Sequence, residues 1–516
     1  MIALYSIAEI RAIERAALAA LPAGTLMRRA GLAAAELART LLAAPAADAI
    51  HPIPPTAPRR VLVLAGPGNN GGDALLAAAE LARAGITVDI AQLPDSPPPP
   101  ADAAQALALA KDSSARFVDA AQLPPAATRA WALVIDGLFG IGQTRALAGD
   151  AAALVAYANA QACPRLALDV PSGLNADTGT VIGAADGGSA LRATHTLTFI
   201  ANKPGLHTGD GRDHAGSVTV AGLGIDQALF PPAQARLNAP PLFARWLRPR
   251  RQNSHKGSHG DLAVIGGAQG MSGAPVLSAR AALHCGAGRV FVGFLEPATG
   301  FDDAHPELMF RHTRDLDFSA ALAIGPGLGA SPIARDLVER ALGGSAPLVI
   351  DADALNLLAA DTALRQRLRQ RQAPTLLTPH PLEAARLLDI SAAEVQADRL
   401  AAARALASQC HATVALKGSG SVIAEVDGNV AINPTGNAAL ATAGTGDVLT
   451  GVCGALLAQG WEPTPAALAA VWLHGAAADL LVAQGAGPVG LTASELIPAI
   501  RTVLNRAIAD AAAARA

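Results

Sequence analysis

Gly444-Thr445-Gly446-Asp447, running into the apolar stretch Val448-Leu449-Thr450-Gly451-Val452, is the part of this chain best suited to chemistry. A turn of small residues that opens a helix leaves backbone N–H groups unpaired, and such groups suit a phosphate. An aspartate directly after the turn would repel an anion that was merely bound there. It makes sense as a base beside a phosphoryl group about to move. The plainer alternative is a Gly-rich loop in which Asp447 is a helix-start carboxylate favoured by the macrodipole. Other clusters accompany it. Lys417-Gly418-Ser419-Gly420-Ser421 offers a cation and backbone donors for nucleotide phosphate or ribose. Gly325-Pro326-Gly327-Leu328-Gly329, Asp351-Ala352-Asp353 and Thr378-Pro379-His380-Pro381-Leu382-Glu383 each close a strand-like run, and Met271-Ser272-Gly273-Ala274-Pro275 opens a helix. Singly these are common; a lone His380 is an ordinary packed or capping residue.

A second set lies in the first half. Val61-Leu62-Val63-Leu64-Ala65 leads into Gly66-Pro67-Gly68-Asn69-Asn70-Gly71-Gly72-Asp73. Gly66, Gly68 and Gly71 satisfy the spacing of a dinucleotide fingerprint, with Asp89 near the distance of a ribose-binding acid. A nicotinamide-dependent dehydrogenase is the naive reading. Asp73 speaks against it, because it would occupy the first helical turn where a pyrophosphate should rest. Asp136, in Asp136-Gly137-Leu138-Phe139-Gly140, and Ser172, in Asp169-Val170-Pro171-Ser172-Gly173, also stand at strand ends. With Asn70 they could converge as hard oxygen ligands for a cation.

These residues need a frame to hold them. Strand-like runs at 61–65, 86–91, 132–136, 165–169 and 195–200 alternate with helical stretches. They resume at 262–266, 289–294, 321–324, 347–351, 374–378 and 412–416, and such alternation implies parallel sheets covered by helices. Helices are predicted over 7–20, 26–42, 446–459, 464–483 and 493–514, with a linker at 51–58. At 516 residues two domains are expected. Proline clusters at Pro231-Pro232 and Pro240-Pro241 mark the boundary, giving domains 1–235 and 242–514. Lys+Arg 39 against Asp+Glu 42 leaves a net charge of -3, so no nucleic-acid or anionic-membrane surface is expected. Four widely separated cysteines and an N-terminus broken early by Glu9, Arg11 and Glu14 point to a cytoplasmic protein. A homo-oligomer is expected.

The first-half motifs 69–73, 136–140 and 169–173, with Asn202-Lys203-Pro204-Gly205, resemble the YjeF N-terminal family, the NAD(P)H-hydrate epimerases. That resemblance implies an α/β, Rossmann-like three-layer αβα fold without dehydrogenase activity. It implies K+ at Asn70, Asp136 and Ser172. Substrate contacts would come from Asn69, Asn70, Gly71, Gly72 and Asp73, from Gly140, Ile141, Gly142, Gln143, Thr144, Arg145 and Ala146, and from Asp169, which would also be catalytic. Ala74 and Arg28 depart from the family's usual glycine and glutamate. The second-half set resembles the ribokinase-like ADP-dependent NAD(P)H-hydrate dehydratases. There Ala274, Gly327, His380 and Asp447 would meet the hydrated nucleotide. Lys417, Gly418, Ser419, Gly420, Ser421 and Gly446 would hold ADP or AMP with Mg2+, and Asp447 would be catalytic. The implied activity is repair of hydrated NADH and NADPH. The alternative is a ribokinase-like kinase for a vitamin precursor fused to a nucleotide-binding scaffold.

Overall fold

The runs of consecutive apolar residues become parallel strands buried on both faces. In the computed structural model, residues 2–43, 60–93, 98–295 and 300–515 are described, so the linker expected over 51–58 lies outside them. The chain divides into a unit Ile2–Gln234 and a unit Ala235–Ala516.

The first unit is a seven-stranded sheet: β1 Arg60–Ala65, β2 Thr87–Gln92, β3 Arg116–Val118, β4 Leu133–Gly137, β5 Arg165–Leu168, β6 His195–Phe199 and β7 Ser217–Ala221. Its order is β3-β2-β1-β4-β5-β6-β7, and every pair is parallel. The order reverses between β1 and β4, which opens a crevice at their carboxyl ends. The helices α1 Ile7–Leu18, α2 Thr25–Ala43 and α3 Asn69–Arg83 pack into the same core as these strands. Ser6 starts α1 through a reciprocal capping box with Glu9.

The second unit carries β8 Ala235–Leu237, β9 Asp261–Gly266, β10 Arg289–Phe294, β11 Met309–His312, β12 Ala321–Ile324, β13 Leu348–Ile350, β14 Thr375–Leu377, β15 Thr413–Leu416, β16 Val422–Ala424 and β17 Val430–Ile432. These run in the order β8-β17-β16-β15-β14-β13-β12-β9-β10-β11, with antiparallel pairing only on the two sides of β16. Because β8 pairs with β17, and Asn238 donates to Asn433 at 3.0 Å, this unit begins ahead of residue 242.

This unit also carries helices α4 Gly273–His284, α5 Pro381–Leu388, α6 Thr445–Ala458 and α7 Pro463–Ala483. Two glycines let α6 approach closely: a Cβ on Gly451 would fall 2.0 Å from the Ser278 carbonyl, and one on Gly454 would fall 2.9 Å from Leu262. Helix α7 is long and apolar enough to cross a membrane, but 61% of its most apolar window is buried inside the protein.

Candidate active sites

In the first unit the Gly-rich turn after β1 serves packing. A Cβ on Gly66 would lie 1.8 Å from the Leu138 carbonyl oxygen, and one on Gly71 would lie 1.9 Å from the Gly66 carbonyl oxygen. Gly68 has open space around it, so the fingerprint spacing reflects two loops pressed together. Asp89 is fully buried between Arg60 and Arg116, the latter at 2.8 Å, and its carboxylate is committed to those guanidinium groups. The dehydrogenase reading therefore loses both its glycine turn and its ribose acid.

The crevice at β1 and β4 is a cavity of about 700 Å³. Asn69, Asn70, Asp73, Asp169 and the whole loop Gly140–Ala146 line it, as expected from sequence. Gly71 and Gly72 do not. Gly71 faces the Gly66 carbonyl, and a Cβ on Gly72 would strike Met27 at 2.7 Å, so both are turned into the fold. Glu14 of α1 joins the lining, contributed by a helix that precedes the sheet in the chain. Ala74 sits against Gly137, where a Cβ on that glycine would be 2.3 Å away, and Arg28 is exposed.

Asp136 and Ser172 come together, and Asn70 lies on the neighbouring turn, its backbone carbonyl oxygen 2.9 Å from where a Cβ on Gly137 would sit. Asp136 is fully buried and accepts from Ser172 Oγ at 2.8 Å, Ser172 N at 2.9 Å and Leu138 N at 3.1 Å. Burial still pushes its pKa up to about 6 against those three donors. Asn70 donates from Nδ2 to the Leu168 carbonyl at 3.2 Å, while its Oδ1 is buried without a partner among the described residues. An orphaned amide oxygen, a buried carboxylate and a hydroxyl are hard oxygen donors of the kind a monovalent cation takes.

Asp169 follows β5 with a φ of +64°, a backbone state that non-glycine residues rarely adopt. Its Oδ2 accepts from Ile141 N at 3.0 Å and its Oδ1 lies 2.9 Å from Lys203 Nζ. Asp73 is buried nearby, and its pKa is raised by burial and then by Asp169 and Glu14. Burial and Asp169 likewise raise Glu14. Four carboxylates, Glu14, Asp73, Asp102 and Asp169, line the cavity, and Asp169 is paired to an ammonium.

In the second unit the site forms where β9, β12, β13, β14 and β15 end. Gly444, at φ +88°, turns the chain into α6 and no side chain caps that helix; Thr445 N turns back to the Thr442 carbonyl at 3.4 Å, which leaves the Gly446 and Asp447 N–H groups to face an anion. Asp447 is half-buried in that first turn. Its pKa is pushed up to about 6, first by burial and then by Asp351, with Lys417 opposing. The 417–421 segment begins beside it: a Cβ on Gly446 would be 3.6 Å from Lys417 Nζ. Ala274 and Gly327 meet across the opening, where a Cβ on Gly327 would be 3.4 Å from that of Ala274.

His380 caps α5, its Nδ1 accepting from Leu382 N at 2.9 Å, which leaves the ring proton on Nε2, 3.3 Å from Glu383 Oε1. Burial lowers its pKa, as does Lys417. The ring is therefore neutral and fixed in orientation.

Three partners in this site were not singled out from sequence as functional. Asp351 is buried, takes Lys417 Nζ at 2.7 Å on Oδ1 and accepts from Thr450 Oγ1 at 2.6 Å on Oδ2. Thr450 stands one turn after Asp447 on α6, so one carboxylate ties the lysine to the helix that carries Asp447. Glu383 lies 4.0 Å from Lys417, and burial pushes its pKa up to about 7. Each motif is visible in the sequence, but only chain crossing brings residues 66 and 99 positions apart together. Among the described residues no cluster of three or more His, Cys, Asp or Glu side chains could cage a metal.

Residues 23–205 match the family model of the YjeF-related protein N-terminus, and residues 262–502 match that of NAD(P)H-hydrate dehydratase. The chain is 38% identical over 499 residues to the bifunctional NAD(P)H-hydrate repair enzyme of Escherichia coli, spanning 94% of this chain and 90% of that protein. It is 34% identical to the bifunctional NAD(P)H-hydrate repair enzyme of Leishmania braziliensis over 98% and 94% of the two chains. Among solved structures, the ADP/ATP-dependent NAD(P)H-hydrate dehydratase of Bacillus subtilis, co-crystallized with ATP/Mg2+, is 32% identical. It covers 53% of this chain and 98% of its own, with a TM-score of 0.47.

Proposed function

This chain belongs to the bifunctional NAD(P)H-hydrate repair enzymes, and we propose that its two units repair hydrated NADH and NADPH by the residues described above. The first unit interconverts the R and S epimers at the hydrated carbon. The second dehydrates the S form with ADP as phosphoryl donor, giving NAD(P)H, AMP and phosphate. Full-length likeness to enzymes of that name supports this reading over a vitamin-precursor kinase joined to a scaffold.

The observation that carries the second activity is Asp447, a carboxylate with a pKa near 6 in the uncapped first turn of α6. Hydroxide is a poor leaving group and phosphate a good one. Asp447 takes the proton of the ring hydroxyl as its oxygen attacks the β-phosphorus of ADP, and AMP leaves. The ring nitrogen then expels phosphate while the adjacent carbon loses a proton, restoring the dihydropyridine. First-turn N–H groups of α6 and Lys417 face the charge on the transferring phosphoryl. Ala274, Gly327 and the fixed neutral His380 border the nicotinamide side, and Gly418 to Ser421 with Gly446 hold the nucleotide. Mg2+ would arrive on the ADP phosphates, neutralising charge there, consistent with a site that offers no all-protein cage.

In the first unit, hydroxide leaves and returns at the same carbon, with Asp169 carrying the proton. K+ on Asn70 Oδ1, Asp136 and Ser172 would give the orphaned amide oxygen its partner and offset the buried carboxylate. Four buried free cysteines suit a reducing cytoplasm.

The test is a product assay with hydrated NADH and ADP. Wild-type protein yields NADH, AMP and phosphate. Asp447→Asn should lower that yield by about 10³-fold and leave epimer exchange unchanged. A stable phosphorylated product without recovery of NADH would instead favour the kinase reading.

A further inference from the structure

We propose that Lys203 is the positioning residue of the first site: its ammonium clamps Asp169 in place, and epimerisation depends on Lys203 through that carboxylate. This rests on Asp169 being the group at the hydrated carbon. Lys203 is fully buried, and a desolvated ammonium is costly unless all its protons are satisfied. Its Nζ lies 2.6 Å from Thr198 Oγ1, 3.0 Å from the Phe199 carbonyl and 3.2 Å from the Ala201 carbonyl. Those three neutral acceptors already match its three N–H groups. A core brace would need nothing more. The Asp169 carboxylate at 2.9 Å is a fourth acceptor, supplied by a different strand end.

The places that Lys203 joins are both strained. Asp169 after β5 has a φ of +64°, and Ile200 after β6 has a φ of +70°, a costly state for a β-branched residue. The carbonyls of Phe199 and Ala201 flank Ile200, so one ammonium bridges both strained turns. Asp169 and Ile200 line the cavity. On its other oxygen Asp169 is held by Ile141 N, in the loop that also lines the cavity. Gripped at both oxygens, the carboxylate has one orientation. In the reaction a C–O bond breaks with its electron pair going to oxygen, and a C–O bond re-forms on the opposite ring face, so atoms and electrons balance. Positive charge appears on the ring between those events, and a carboxylate that cannot swing away meets it from a fixed point.

The experiment is a double-mutant cycle on the full chain with K+ and without ADP, following exchange of separated epimers above the spontaneous rate. Lys203→Met should lower kcat by about 10²-fold with KM changed less than about twofold. In an Asp169→Asn background the same substitution should cost less than about threefold, because the group it positions is already gone. Lys203→Arg keeps the charge but places it differently. It should fall between the two, again only in the wild-type background, and it carries the test if Lys203→Met does not fold. Equal losses in both backgrounds, a change in KM alone, or no loss would overturn the proposal. An Asp169→Asn single variant with wild-type exchange would sink the underlying assignment, a failure recognisable without any change at Lys203.

Discussion

Each unit sets a carboxylate near a lysine, fully buried in the first and half-buried in the second, but the pairing differs. Asp169 is bonded directly to Lys203 at 2.9 Å. Asp447 is not bonded to Lys417, because Asp351 has taken that ammonium at 2.7 Å. The first carboxylate is therefore immobilised by its cation. The second keeps a cation near enough to face a phosphate, yet burial and Asp351 together push its pKa to about 6. Partner choice, more than the identity of the acid, separates a carboxylate gripped in one orientation from one that its neighbouring cation leaves unbonded.

This contrast can be broken in four ways. Asp169→Asn should reduce epimer exchange by about 10³-fold and leave dehydration of the S form intact, as read by separate assays of the two activities. Gly140→Ala comes next. Its new Cβ would lie 2.6 Å from Asp169 Oδ2, which Lys203 prevents from retreating, so exchange should fall by about 10²-fold with little change in thermal stability. Asp351→Asn frees Lys417 and should cost dehydration about tenfold at pH 7, measured as kcat with saturating ADP. Asn70→Ala should have the smallest effect: the K+ concentration for half-maximal exchange rises about tenfold, checked by K+ titration against a constant ionic strength.

Much of this was legible from residue order. The parallel strands that build both crevices were readable as apolar runs, because strands buried on two faces need no alternation. Short or half-exposed edges were not: Arg116–Val118, Ser217–Ala221 and Met309–His312 carry too few buried residues to stand out. The loop Gly140–Ala146 lines the crevice as expected, and Ser172 meets Asp136, since residues after adjacent parallel strands come to one end of the sheet. What sequence could not give was pairing. Asp89 looked like a ribose acid until Arg60 and Arg116 closed on it, and Glu14 reaches the cavity from a helix outside the sheet order. Asp351, Thr450 and Lys203 matter through contacts made only after the chain folds back, so their motifs were visible and their roles were not.

The most direct test is the pH dependence of kcat for ADP-driven dehydration of the S epimer. Asp447 works as a base only when ionised, so activity is full above its pKa and falls as pH drops through it. With that pKa near 6, kcat should decline about tenfold per pH unit below that point. In Asp351→Asn the midpoint should move lower, because a charge that raised it has been removed. A rate that stays level well below pH 6, in a protein that remains folded, would contradict the assignment of Asp447 as the base.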